Sequence, residues 1–190
     1  MTNMIEIPEG YEHVLLTAII LSMECLLVGF IAAGKKRASI FSHEYLKENF
    51  GSQHQEAFGE EIKKGGYPDT GSGVYASKLS YKDWYLFNSS QRAHMNFVEM
   101  IASSLMFLLV AGLYCPCMAT GFGVLMIVSR IFYSVGYVNS GPKGRLVGAL
   151  LNDIAILGLF IMSMIFLVNK IRGNSGCSHG NNEGIKNQEM

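Results

Sequence analysis

Charge is scarce in this chain. Only 16% of its 190 residues are Asp, Glu, Lys or Arg, against about 25% in a typical globular domain. The charges also cancel, with 15 basic and 15 acidic residues. That balance excludes a basic nucleic-acid binder and an acidic solvating chain, so no nucleic-acid partner is expected. Cysteine is limited to Cys25, Cys115, Cys117 and Cys177. Cys115-Pro116-Cys117 is a C-x-C, without the C-x-x-C spacing of redox or zinc sites, and no second ligand pair is near it. It reads as small residues at a membrane interface, and no metal is expected. Gly and Pro do not break the middle of any long apolar stretch, and no ring-forming acidic motif occurs. Both absences argue against a channel or a transporter.

What is abundant is apolar. Hydrophobic residues make up 49%, with 11 Met, 11 Phe and 21 Gly, a composition at odds with intrinsic disorder. Four long stretches carry one charge each: 14–33 with Glu24, 97–113 with Glu99, 118–138 with Arg130 and 146–168 with Asp153. A bilayer core of about 30 Å takes about 20 residues of helix. The expectation is an all-α integral membrane four-helix bundle, with helices at about 12–34, 91–114, 117–138 and 146–169. These form a membrane domain over 1–172, with a long loop at 35–90. Residues 173–190, rich in Gly and Asn, read as a disordered tail. No internal repeat stands out. The first stretch is too long for the h-region of a signal peptide, and Glu6, Glu9 and Glu12 precede it where positive charge belongs. It is expected to stay as helix 1.

Lys35-Lys36-Arg37 follows helix 1, and Lys143 and Arg145 lie between helices 3 and 4. Both basic loops fall on the same side of a four-span chain, which places them in the cytosol. The termini are then lumenal or external. Within the first loop, Ser52-x-x-Gln55 has a capping-box spacing and Lys63-Lys64-Gly65-Gly66 a helix stop. A short helix is predicted between them. The sequon Asn88-Ser89-Ser90 falls on the cytosolic side and should stay unmodified.

The polar residues inside the spans are periodic. Arg92, Asn96 and Glu99 stand at i, i+4 and i+7, on one face of helix 2. Arg130, Tyr133 and Tyr137 stand at i, i+3 and i+7, on one face of helix 3. Ionisable groups at this depth must face protein rather than lipid. The two stripes therefore face one another or share a pocket, and Glu99 and Arg130 are the expected ion pair. A packed seam that fixes helix register is the simpler reading of that pair. The seam does not explain Lys35, Arg92 and Arg145 at one membrane level. Those cations suit a small anion, since Arg binds carboxylates through a two-pronged fork. Glu24 and Asp153 receive no role.

These motifs resemble a known family. Gln91-Arg92-Ala93-His94-Met95-Asn96-Phe97-Val98-Glu99 is similar to the R-x-x-x-N-x-x-E signature of the MAPEG family, the membrane-associated proteins in eicosanoid and glutathione metabolism. Arg130-Ile131-Phe132-Tyr133-Ser134-Val135-Gly136-Tyr137 resembles its second signature, and the run from Gly141 to Leu150 looks most like its microsomal glutathione transferase branch. The resemblance implies a homotrimer that binds glutathione between subunits near the cytosolic side, as a cosubstrate, with no bound cofactor. It implies glutathione contacts at Arg92, Asn96, Glu99, Tyr133, Tyr137, Lys35 and His94. Arg145 would be catalytic, holding the thiol as thiolate. Lipophilic electrophiles or lipid hydroperoxides would be the second substrates, drawn from membrane lipid. The membrane implied is the endoplasmic reticulum, with the outer mitochondrial membrane as the alternative. A non-enzymatic lipid-binding scaffold of the same family is the competing reading. Two departures, Met100 in place of an aromatic and Ala102-Ser103-Ser104 in place of a proline, tell against leukotriene-synthase specificity.

Overall fold

The computed structural model describes residues 7–65 and 69–173. The expected tail, from residue 174, lies outside them. Helix α1, Tyr11–Val28, continues through a π-helical turn, Gly29–Gly34, into α2, Lys35–Ile40. With α4 (Tyr81–Tyr114), α5 (Pro116–Ser140) and α6 (Leu146–Ile171), this gives four helices long and apolar enough to cross a membrane. Helix is the expected state for such segments, because lipid offers backbone groups no other hydrogen-bond partner.

The four spans pack on one another. α5 touches α6, α4 and α1, and α4 touches α6 and α1. Leu21, Phe97, Leu108, Met126 and Leu159 meet in the shared core, all fully or almost fully buried. The outer faces remain apolar: Leu16, Ile19, Phe30, Leu150 and Leu157 are all exposed. A water-soluble chain rarely leaves so large an apolar surface uncovered, whereas lipid covers it. Cys115 alone reverses the chain between α4 and α5. Pro116 at the first helical position suits its missing N–H, one of the donors a helix start leaves unpaired anyway.

The helix boundaries differ from the sequence expectations in three places: helix 1 runs on past residue 34 to Ile40, and α4 and α3 both start early. α4 begins at Tyr81 rather than near residue 91. Ser80 caps it, accepting from the Asp83 N–H at 3.1 Å and donating to the Asp83 carboxylate at 2.7 Å. The first turns are polar, so hydropathy missed them. The loop helix α3 spans His43–Phe58, starting well before Ser52. Ser42 is its true cap, accepting from the Tyr45 N–H at 3.2 Å, and Gly59 at φ 71° ends it. Ser52-x-x-Gln55 therefore lies inside a helix, and Lys63-Lys64 lies beyond its end.

α3 and the segment up to Leu79 build a small extramembrane lobe. Its core joins Leu46, Phe50, Ile62 and Ala76 to Phe41 and Phe87 at the ends of the flanking spans. Phe41 meets Phe87 edge-on at 5.1 Å, and Phe50 meets Tyr75 at 5.0 Å. Asp69, 2% exposed, organises the return. Its carboxylate accepts from the backbone N–H groups of Gly71 (2.7 Å), Gly73 (3.1 Å) and Ala76 (2.8 Å). The Gly71 carbonyl then accepts from Trp84 Nε1 at 2.9 Å, tying the lobe to the first turn of α4.

Candidate functional site

Most of the polar residues of the two stripes gather at one place. Arg130, on α5, is 1% exposed. It lies about 21 Å along α5 from Pro116, well inside a core of about 30 Å. One amino group donates to Asn96 Oδ1 on α4 at 2.9 Å, and the other reaches the Met100 sulfur at 3.2 Å. Its guanidinium carbon lies 4.7 Å from the Phe97 ring centre and 5.5 Å from that of Tyr133. Cation–π contact strengthens once water is excluded, so two rings and an amide make a coherent seat for this charge. Among the described residues the Nε group has no hydrogen-bond partner. Glu24 on α1 and Asp153 on α6 are the acidic residues whose charges act on Arg130. The direct contacts of this cation thus come from α4 and from its own helix.

Tyr133 carries the arrangement toward the basic end of the bundle. Its hydroxyl accepts from Arg145 at 2.9 Å. The Arg145 guanidinium carbon lies 5.8 Å from the Tyr133 ring and 5.4 Å from the Tyr137 ring, and the two rings are 5.9 Å apart. Tyr133 and Tyr137 are both buried, packed with Ala93. Arg145 reaches back because the chain reverses tightly before it. Gly141, at φ +65°, ends α5 and opens a short 3₁₀ turn to Lys143. Gly148 on α6 lies directly against the backbone of α5 at Ser129 and Tyr133, where any Cβ would collide. Helices that meet this closely need a small residue at the contact.

The expected Glu99–Arg130 ion pair is not formed. Glu99 pairs with Arg92 of its own helix, at 3.4 Å, and each side chain is about half exposed (49% and 52%). Arg130 takes Asn96 and Met100 instead. The reason is angular: Asn96 and Glu99 are about 60° apart around the helix axis at 100° per residue. One side chain therefore points into the bundle and the other outward. Glu99 lies about 22 Å from the Tyr114 end of α4, so an outward charge there needs protein or water beside it, not lipid.

The remaining expected residues lie elsewhere. His94 is half-buried and fills the space left by the missing side chain of Gly29. A Cβ on Gly29 would come within 2.7 Å of its Nε2. It packs α4 against the π-helical turn of helix 1, a local widening often found at functional sites. Lys35 is exposed and lines a groove between helix 1 and α5 to which Arg145 does not contribute. Sequence reasoning missed Phe97 and Met100 as the seat of Arg130. The signal was present in the register, since both flank Asn96 on the inward side of α4.

Within one subunit, then, Asn96, Arg130, Tyr133, Tyr137 and Arg145 form a connected chain. Arg92 and Glu99 form a second, outward group, and Lys35 and His94 stand apart from both. The connected chain leads from a buried cation to Arg145 at the start of α6, past two phenols whose hydroxyl groups can hydrogen-bond an anion. A search for known family patterns matches the MAPEG family over residues 14–165, most of the chain and all four spans. The chain belongs to the MAPEG family.

Proposed function

We propose that the protein is a glutathione transferase with glutathione-dependent peroxidase activity, of the microsomal glutathione transferase 3 kind. The observation that carries this is the Arg145–Tyr133 contact at 2.9 Å, with Tyr137 alongside. It holds a permanent cation over two phenols at the basic end of the bundle. Glutathione is anionic, and its thiol, like a free Cys, titrates near ~8.5; a neighbouring cation lowers that value. Arg145 stabilises the thiolate, Tyr133 positions Arg145, and the outward pair of Arg92 and Glu99 holds the charged ends of the peptide, while Asn96 is engaged by Arg130.

The thiolate sulfur forms a C–S bond at an electrophilic carbon, and the leaving group departs with its electron pair. With a lipid hydroperoxide, sulfur attacks the O–O bond. The alkoxide takes a proton to become an alcohol, and glutathione is left as a sulfenic acid. A second glutathione converts that to the disulfide and water. The outward position of Arg92 and Glu99 suits a homotrimer whose neighbouring subunit covers them. The basic ends would face the cytosol, from the endoplasmic reticulum membrane.

The test uses purified full-length protein with glutathione and either chlorodinitrobenzene or a lipid hydroperoxide. Turnover, with a thiolate absorbance that Arg145→Ala removes, supports the proposal. Glutathione binding without turnover, or lipid binding that ignores Arg145, would instead favour the non-enzymatic scaffold known among family members.

A further inference from the structure

The groove between α1 and α5 is separate from the Arg145 chain. It encloses about 550 Å³, within the range of about 300–1,000 Å³ common for ligand sites. Its sides are aliphatic: Leu27 and Ile31 from helix 1, Val135 and Val138 from α5. Ile31 is 57% exposed and Val135 54%, so the long side of the groove is open. Charged groups sit at its two ends, with Ser134 on the α5 wall between them.

The upper end holds Lys35 and Lys36, with Ser39, Ser90 and Asn139 beside them. Among the described residues, neither lysine has an acidic partner within ion-pair distance. The lower end holds Glu24, and Ser134 lines the α5 wall about 7.5 Å below Asn139. Both Glu24 carboxyl oxygens and the Ser134 hydroxyl are buried and lack a hydrogen-bond partner among the described residues. Glu24 and Lys35 are eleven residues apart on one helix, about 16 Å at 1.5 Å per residue. That is about half of a 30 Å hydrocarbon core.

We infer that this groove is a binding site for an anionic phospholipid. The phosphate lies between Lys35 and Lys36, the glycerol esters face Ser39, Ser90 and Asn139, and one acyl chain runs down the wall between Ile31 and Val135. Charge complementarity selects the headgroup. Basic pockets between spans hold anionic lipids through such cations, each worth roughly fivefold in affinity. The aliphatic walls take the chain, and the polar floor at Glu24 sets the depth to which it stays in the groove. A soluble anion would leave the walls uncovered, and a zwitterionic lipid brings its own cation to the lysines. This site does not depend on the glutathione reading.

The full-length protein is placed in bilayers of equal parts phosphatidylcholine and phosphatidylglycerol, re-extracted in mild detergent, and its retained lipid weighed by native mass spectrometry. Phosphatidylglycerol should be retained several-fold above its bilayer share. Lys35→Gln with Lys36→Gln should return the ratio to that of the bilayer. Val135→Trp, which fills the groove and keeps both lysines, should lower retention of both lipids. Retention in proportion to the bilayer, or enrichment that survives both variants, overturns the site. A wild-type groove filled by a second copy of the chain would give that same proportional retention.

Discussion

The extramembrane lobe and the membrane bundle use charge in opposite ways. Residues 34–90 carry eight basic and seven acidic side chains, most of them in the lobe and its flanks. Several sit in exposed pairs such as Lys63–Glu60 at 3.0 Å, which contribute little to stability. Asp69 is the exception, because it organises backbone. In the bundle the charges are few, and three arginines have definite settings: Arg130 among rings and an amide, Arg145 on Tyr133, Arg92 on Glu99. In water an ion is cheap and carries little information. Inside an apolar bundle it is costly, so its neighbours show what it does.

Breaking the bundle side should give the largest effect. Arg145→Ala is expected to lower glutathione turnover by about 10²–10³, the usual loss when one stabiliser of developing or fixed anionic charge is removed. Its melting temperature should stay near wild type, because Arg145 lies at the bundle's end. Equal turnover in steady-state assays would refute its catalytic role. Gly148→Val comes next. Its side chain strikes the α5 backbone at Tyr133, so about 1–3 kcal/mol of stability should be lost to overpacking. Turnover should fall as Arg145 loses its seat. Urea titration and activity on the same sample would separate the two effects.

Asn96→Leu removes the acceptor of a buried guanidinium. It should cost about 1.5–3 kcal/mol, the range for a hydrogen bond to a charged group. Unchanged stability would mean that Arg130 finds another acceptor, with Glu24 the nearest candidate by charge.

Two smaller changes probe the lobe. Asp69→Asn weakens three backbone hydrogen bonds at once. Limited proteolysis between α3 and α4 should speed up several-fold while glutathione turnover holds. A matching loss of turnover would show that lobe and site are coupled. The last effect is a pH dependence. Burial, helped by the Asp69 charge, pushes the Tyr45 phenol up from its ordinary value near 10. The folded lobe therefore holds this proton more tightly than the unfolded chain does. Stability is full below about pH 10 and declines as pH rises through the folded value. Tyr45→Phe should remove that decline, read by tyrosine absorbance against proteolysis rate.

Much of the fold was legible in the sequence. Four apolar stretches predicted four long helices, because the length of a span follows from bilayer thickness and helix rise alone. The errors fell where polarity rises. The first turns of α4 and the start of α3 depend on Ser80 and Ser42 as caps, and hydropathy carries no trace of a cap. Half of the candidate site was legible too. The Arg92–Asn96–Glu99 spacing put three residues on one face, yet Asn96 turns inward to Arg130 while Arg92 and Glu99 pair outward.

The sequence by itself determined the class of the molecule, the number of its spans and the residue types that matter within them. These follow from how much apolar surface lies in each stretch, and burial of that surface is non-directional. Only the tertiary structure decided which partner each polar group takes. Arg130 meets Asn96 rather than Glu99 because of a rotation of about 60° around one helix. Arg145 meets Tyr133 because Gly148 lets α6 close on α5. Both outcomes turn on angles and ångströms between helices, which come into being only when the spans pack.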